Sequence, residues 1–312
     1  MRTGGRIAVG ILAVLAIGAG VALASPTEVL VTSRANNSIL RYDLETGDFL
    51  GTFATGTGLS SPVDVTQGPD GDIYVGNFGS SRVTRFDWPT GEYLGNFAEH
   101  SNMEEIVTII FHDDKLYAAA NDTRRISVFN ADTGSFVHDF GNPTMRYPHD
   151  FRFGPDGMIY VTTSVSSGNK VQVWDPETRT LVRDFAPITE MDYPMSLDFG
   201  PDGMLYISDY TTKKIERYDW ATGEHLDTFL TTEAPLSHIE FGPDGKLYAC
   251  TWTTDITQRS VERYDATTGE FIDVFIPGGG VLSEPRGLMF IPEPTSGLMV
   301  LCGAALTLLR RR

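Results

Sequence analysis

Asp64 and Asp150 each stand two residues after a proline, Pro62 and Pro148, and His238 precedes Phe241 by the same three residues that separate Asp150 from Phe153. Side chains alternate along a strand, so three groups in equivalent places of strand-like segments point the same way. An imidazole buried beside carboxylates can hold a divalent cation or act as a general base. The candidates for catalysis are therefore His238, Asp150 and His149, with His149 turned towards the rim. Those for a divalent metal are Asp64, Asp150 and His238. Glu104, Glu105, Ser196 and Arg286 lie in or beside comparable segments and add polar groups. No two segments repeat one ligand set, however, and there is no Ser-His-Asp order, phosphate loop or spaced metal signature. Such groups can equally hold buried water.

The elements that must position these residues form a repeat. An aromatic residue recurs at Tyr42, Phe86, Phe129, Trp174, Tyr218 and Tyr264, at intervals of 44, 43, 45, 44 and 46 residues. A period in the forties built from β-rich units is that of propeller blades. Each unit divides into four strands. The first ends in Gly-Pro-Asp-Gly in four units (68–71, 154–157, 200–203 and 242–245), where proline presets φ and glycine accepts a positive φ, a hairpin turn. The second is centred on Tyr74, Tyr117, Tyr160, Tyr206 or Tyr248. The third carries the recurring aromatic and ends in Asp43, Asp87, Asn130, Asp175, Asp219 or Asp265, which are expected to cap Asx turns. The fourth ends on Phe53, Phe97, Phe140, Phe185, Phe229 or Phe275, and the aromatic columns are expected to form core between blades.

The first unit begins at its second strand, and Pro285 to Phe290 stands alone at the other end with the spacing of Pro148 to Phe153. The prediction is an all-β, six-bladed β-propeller of four-stranded blades over residues 25–291. Its ring is closed by the C-terminal strand pairing with Val29 to Thr32, which removes free sheet edges. Segments such as Gly-Pro-Asp-Gly-Met-Leu-Tyr-Ile-Ser-Asp (200–209) and Lys-Lys-Ile-Glu-Arg-Tyr-Asp (213–219) resemble the NHL-repeat and related six-bladed propellers. That group includes gluconolactonase-like and streptogramin-lyase-like enzymes. The resemblance implies the fold, and for the enzymes metal ligands or a histidine pair around the central channel. It does not fix an activity, because the fold serves binding proteins and enzymes alike.

Two faces follow from this architecture. The turns between strands one and two and between strands three and four differ little among units. The stretch from second-strand centre to third-strand aromatic does vary: 12, 12, 12, 14, 12 and 16 residues in chain order. Its longest loops are Ser164 to Lys170 and Trp252 to Ser260, and loops that vary on a constant scaffold are where specificity resides. Basic residues gather on that face: Arg34, Arg82, Arg124, Arg125, Lys170, Lys213, Lys214 and Arg259. They form either a solvated rim or a site for an anionic polymer such as surface polysaccharide. His100, His112, His138 and His225 fall in loops or on outer strands and are expected to face solvent.

The ends read as targeting segments. Residues 1–24 combine Arg2 and Arg6, an apolar run and Ala22-Leu23-Ala24, the pattern of a cleaved signal peptide. Residues 292–312 join Pro292-Glu293-Pro294, an apolar stretch and three terminal arginines. This resembles the PEP-CTERM sorting tail of bacterial proteins processed by exosortase, with a membrane segment whose basic end stays inside. The implied location is the envelope or outer surface of a bacterium, with the tether on the constant face and the variable face turned outward. The whole chain has a net charge of −17. The two ends carry five arginines and no acid beyond Glu293, so residues 25–294 hold −22. That field excludes nucleic acid as a partner. Cys250 is the body's one cysteine and reads as a small buried residue. The functional reading is a non-catalytic binding module for extracellular polysaccharide or another protein. The alternative is a metal-dependent lyase or lactonase-like hydrolase with its site in the channel.

Overall fold

Six four-stranded antiparallel sheets stand in a ring in a computed structural model that describes residues 27–164, 170–185 and 191–291. Residues 1–24, expected to be a signal peptide, and 292–312, expected to be a sorting tail, lie outside the described residues. Among the described residues no helix is long and apolar enough to cross a membrane. In blades 2 to 6 the strands follow chain order from the axis outward. Blade 1 takes its inner strand from the chain's other end: Pro285–Ile291 pairs antiparallel with Glu28–Ser33, with Val29 opposite Phe290 and Leu30 opposite Met289. The remaining inner strands are Pro62–Gln67, Ile106–His112, Tyr147–Phe153, Pro194–Phe199 and Leu236–Phe241.

The core lies between blades, and one aromatic arrangement repeats. Four second-strand tyrosines, Tyr74, Tyr160, Tyr206 and Tyr248, pack between the outer-strand phenylalanine of their own blade and an inner-strand phenylalanine of the next, and Tyr117 meets Phe153 of the next blade at 5.0 Å. Tyr74 meets Phe97 and Phe111, with ring centroids 4.7 and 4.8 Å away, and Tyr206 meets Phe229 and Phe241 at 4.9 and 4.8 Å. Tyr248 of blade 6 meets Phe290 of the closing strand at 5.0 Å, so ring closure reuses the same contact.

The Gly-Pro-Asp-Gly turns do more than reverse the chain. Asp70, Asp156, Asp202 and Asp244 accept the hydroxyls of Tyr74, Tyr160, Tyr206 and Tyr248, at 2.8 to 3.2 Å. The first glycine of the motif makes room for that tyrosine: a Cβ at Gly200 would lie 2.3 Å from Tyr206 Cε2. The last takes a positive φ, +79° at Gly203. The third-strand acids cap turns: Asp43 Oδ1 accepts Glu45 N–H and Thr46 N–H, and Asp265 Oδ1 accepts Thr267 N–H and Thr268 N–H. Those amides hold both carboxyls below the usual carboxylate range.

Candidate functional site

Every inner strand carries a β-bulge at one place. The register slips between Pro62 and Asp64, Ile106 and Thr108, Pro148 and Asp150, Pro194 and Leu197, and Leu236 and His238, and again opposite Thr32 in the closing strand. A bulge puts two residues opposite one and re-aims a side chain. The bulged residues are Val63, Val107, His149, Met195, Ser237 and Arg286, one per blade, and all six line a cavity of about 610 Å³ at the channel mouth. A second ring stands above them. It comes from the residue that follows each second strand: Arg34, Phe78, Asn121, Tyr210 and Trp252, with blade 4's equivalent outside the described residues. The cavity therefore belongs to the variable face, and Tyr193 and Thr211 complete its wall.

The residue after each bulge does different work. Asp64, Thr108, Asp150, Ser196, His238 and Gly287 occupy this second column. Asp64 Oδ1 accepts Val65 N–H at 2.9 Å and its Oδ2 accepts Ile109 N–H of the next blade at 2.7 Å. Asp150, only 3% exposed, accepts Phe151 N–H, Thr108 Oγ1 and Arg152 Nη1 on one oxygen, and Ser196 Oγ and Leu197 N–H on the other. Ser196 Oγ in turn accepts Ile239 N–H at 3.2 Å and lies 3.4 Å from His238 Nδ1. These groups staple one inner strand to the next. Gly287 completes the column where space runs out, since a Cβ there would lie 2.8 Å from both Asp64 Cα and Val63 O.

Two residues further along the inner strands sits a charged layer. Arg152 Nη1 is 2.7 Å from Asp150 Oδ1 and its Nε is 3.7 Å from Asp198 Oδ1, while His238 Nε2 is 3.3 Å from Glu240. Burial pushes the Asp64 carboxyl up to about 7, against the Ile109 amide and the Arg152 charge, and that of Asp198 up to about 6. Burial alone would lower His238, but its hydrogen bond to Glu240 and the Asp150 charge outweigh it and raise the imidazole above its ordinary value. His149 goes the other way. Burial and the Arg286 guanidinium lower it to about 4, so it is neutral near pH 7, with Nε2 bonded to Ser164 Oγ at 2.7 Å.

The structure thus brings Asp64, His149, Asp150 and His238 to one cavity. It does not converge Asp64, Asp150 and His238 on a common point: among the described residues no three His, Cys, Asp or Glu side chains form a group that could hold a metal ion. Of the sequence's basic set, Arg34 lines the cavity and Arg259 stands behind Trp252, 3.6 Å over its ring. Arg82, Arg125, Lys170 and Lys214 pair outside the cavity with Glu99, Asp139, Asp184 and Glu216. Arg124 stacks on Tyr147 and Lys213 donates to Glu233 O. Glu104 and Glu105 do not line the cavity. Residues 165–169 of the long blade 4 loop lie outside the described residues.

The four outlying histidines are each partly exposed, as expected, but none is free of neighbours. His100 and His112 stack on Phe136 and Phe153 at 3.8 Å, and His225 Nε2 is 2.9 Å from the buried Glu216. His138 has a buried Nδ1, and burial lowers its pKa. An imidazole has two flat apolar faces, and beside a large neighbour these are covered. Cys250 is fully buried, which pushes its thiol up.

No family model and no curated protein matches the chain. Among solved structures it is similar to a chain in the crystal structure of a nidogen/laminin complex, with a TM-score of 0.69 and 17% identity over 84% of this chain and 97% of that one. At that identity the likeness establishes the fold, a six-bladed β-propeller of four-stranded blades.

Proposed function

We propose that the chain is an exported, envelope-anchored propeller of the NHL-repeat kind, acting as a non-catalytic binding module whose variable face takes extracellular polysaccharide. The observation that carries this reading is the 610 Å³ cavity. Its wall comes from the loops that differ among blades, and its volume suits a small organic ligand or the end of a chain. The groups that chemistry would require are engaged elsewhere. Asp64 and Asp150 accept backbone amides of neighbouring blades, and His238 sits between Ser196 and Glu240. A lyase or lactonase-like reaction would have to detach them from those partners. The signal peptide and the PEP-CTERM tail, handed to an exosortase-type enzyme, would carry this face to the outside of a bacterial cell.

A protein partner is the second reading, and the structural neighbour supports it, being a chain of a complex between two proteins. The test is co-sedimentation of the protein with extracted surface polysaccharide, for wild type and for Tyr210→Ala and Phe78→Ala. Binding that both substitutions weaken supports the reading. Turnover of a lactone or polysaccharide by wild type, lost in His238→Ala, would replace it with the enzymatic alternative.

A further inference from the structure

We propose that the cavity mouth is a carboxylate site whose ligand is an acidic sugar, a uronate unit of an anionic saccharide; this rests on the variable face being a binding surface. Arg34 and Arg286 line the cavity, and together with Arg259 behind Trp252 their guanidinium groups converge on one carboxylate. Arg34 Nη1 donates to Glu284 Oε1 at 2.5 Å, Arg259 Nη1 lies 3.3 Å from Glu284 Oε2, and Arg286 Nη2 lies 3.5 Å from Oε1. The Glu284 side chain is 13% exposed, so the group is largely withdrawn from water while holding two positive charges in excess. The Nε atoms of Arg34 and Arg286 are buried with no hydrogen-bond partner among the described residues. Guanidinium groups largely withdrawn from water with an excess of positive charge are costly, and an anion beside them offsets that excess.

The cluster is built rather than incidental. Arg286 projects from the bulge of the closing strand, and Trp252 carries Arg286 and Arg259 over its ring at 4.2 and 3.6 Å. Arg34 lies 4.7 Å from the Phe78 ring centroid. Stacking of this kind restricts the planar forks before a ligand arrives, and a planar fork matches a carboxylate through two parallel hydrogen bonds. Burial, together with the Arg34 charge, lowers the Arg286 guanidinium to about 10, so it is still charged at neutral pH. His149, which also lines the cavity, is neutral near pH 7, so the positive charge at the mouth comes from the arginines.

The remaining lining favours a sugar over a bare inorganic anion. Asn121, Tyr193, Tyr210, Thr211 and Ser237 bring hydroxyl and amide groups to a wall that also holds the rings of Phe78 and Tyr210. A phosphate ion would fill a small part of 610 Å³ and leave those rings wet.

The test is isothermal titration calorimetry on the full chain with digalacturonate, with the uncharged galactose disaccharide, and with inorganic phosphate. Digalacturonate should bind, with the neutral disaccharide at least about tenfold weaker and phosphate weaker still. Arg286→Gln should weaken digalacturonate binding by about tenfold or more, and Glu284→Gln, which removes the internal competitor, should strengthen it. A merely structural cluster would lose binding in both variants, and melting temperatures recorded beside the titrations separate that case. Equal binding of charged and neutral sugar, or no effect of Arg286→Gln, overturns the carboxylate site and leaves a binding module. Phosphate binding as tightly as the uronate overturns the sugar. No binding of digalacturonate overturns the proposal, while capture of neutral saccharide or a protein by the same face shows that the broader reading survives.

Discussion

Replacing Asp150 separates a structural carboxylate from a catalytic one. Its two oxygens accept five hydrogen bonds, from Thr108 of blade 3, Phe151 and Arg152 of blade 4, and Ser196 and Leu197 of blade 5. In Asp150→Ala the Leu197 amide loses an acceptor, about 1–3 kcal/mol. Arg152 loses its nearest counter-ion in a setting where breaking one side of a buried pair costs about 3–5 kcal/mol. Asp198, 3.7 Å from Arg152 Nε, recovers part of that. The sum is about 4 kcal/mol, a large share of a domain's stability of about 5–15 kcal/mol. For a chain of this size it corresponds to a fall of about 10 °C in melting temperature. Asp150→Asn retains one acceptor oxygen and should fall about half as far. Thermal unfolding followed by circular dichroism reads both. If Asp150→Ala melts within about 2 °C of wild type, the staple reading is wrong, and the buried carboxylate must be maintained for chemistry instead.

Gly200→Ala would bring a methyl group to 2.3 Å from Tyr206 Cε2 and displace that ring from Asp202, so it should cost about 2–3 kcal/mol in denaturant unfolding, more than Gly280→Ala, where a Cβ meets nothing within 4 Å. Gly287→Val places its Cβ against Asp64 Cα and Val63 O, so the closing strand should detach and unfolding should lose cooperativity; a two-state transition near the wild-type midpoint would contradict the closure. Asp64 is held up to about 7 against an ordinary 3.8, so the folded chain retains this proton where the unfolded chain has lost it. Its favourable contribution is present at the acid end and is lost as pH rises from about 4 to about 7. With cavity water reducing an upper bound of about 4 kcal/mol, Asp64→Asn should gain about 2 kcal/mol on wild type across that range. A flat difference between the two unfolding curves counts against it.

The repeat was legible because it rests on local physics. Gly-Pro-Asp-Gly turns, Asx caps and aromatic columns each reflect a φ preference or a short-range contact, and their spacing alone located the closing strand at Pro285. The site was half legible. Asp64, Asp150 and His238 were placed in one column by their distance from Pro62, Pro148 and Phe241, and they do share it. What the spacing did not disclose is the bulge, since it moves the cavity-facing role one residue earlier, to Val63, His149 and Arg286. Aligning the first strands on Pro62, Pro148, Pro194 and Pro285 would have exposed that column as Val, His, Met and Arg in four of the blades. Arg286 was visible as a polar group, but its partner Glu284 lies just outside the strand, and the convergence of Arg34 and Arg259 upon it spans about 250 positions of chain. Periodicity reports the strand pairing that every blade repeats, not a side-chain cluster made at one place in the ring.

The bulge also explains how a uniform ring comes to hold an asymmetric site. At the column after it, Asp64, Asp150 and Ser196 all accept an amide from the neighbouring inner strand, so that column answers to ring stability. At the bulge itself the side chains project into the cavity, and the six blades present five kinds of residue there, with valine in two. Dividing these roles between adjacent positions lets the mouth change chemistry without loosening the ring. The basic cluster lies where the division is widest. Gly287 gives up any staple so that the closing strand can approach blade 2, and the preceding Arg286 is directed into the mouth. Strand closure and ligand recognition therefore meet in two consecutive residues. An Arg286 variant that alters binding while leaving the melting temperature unchanged, beside a Gly287 variant that unfolds the ring, would show that the bulge keeps the two apart.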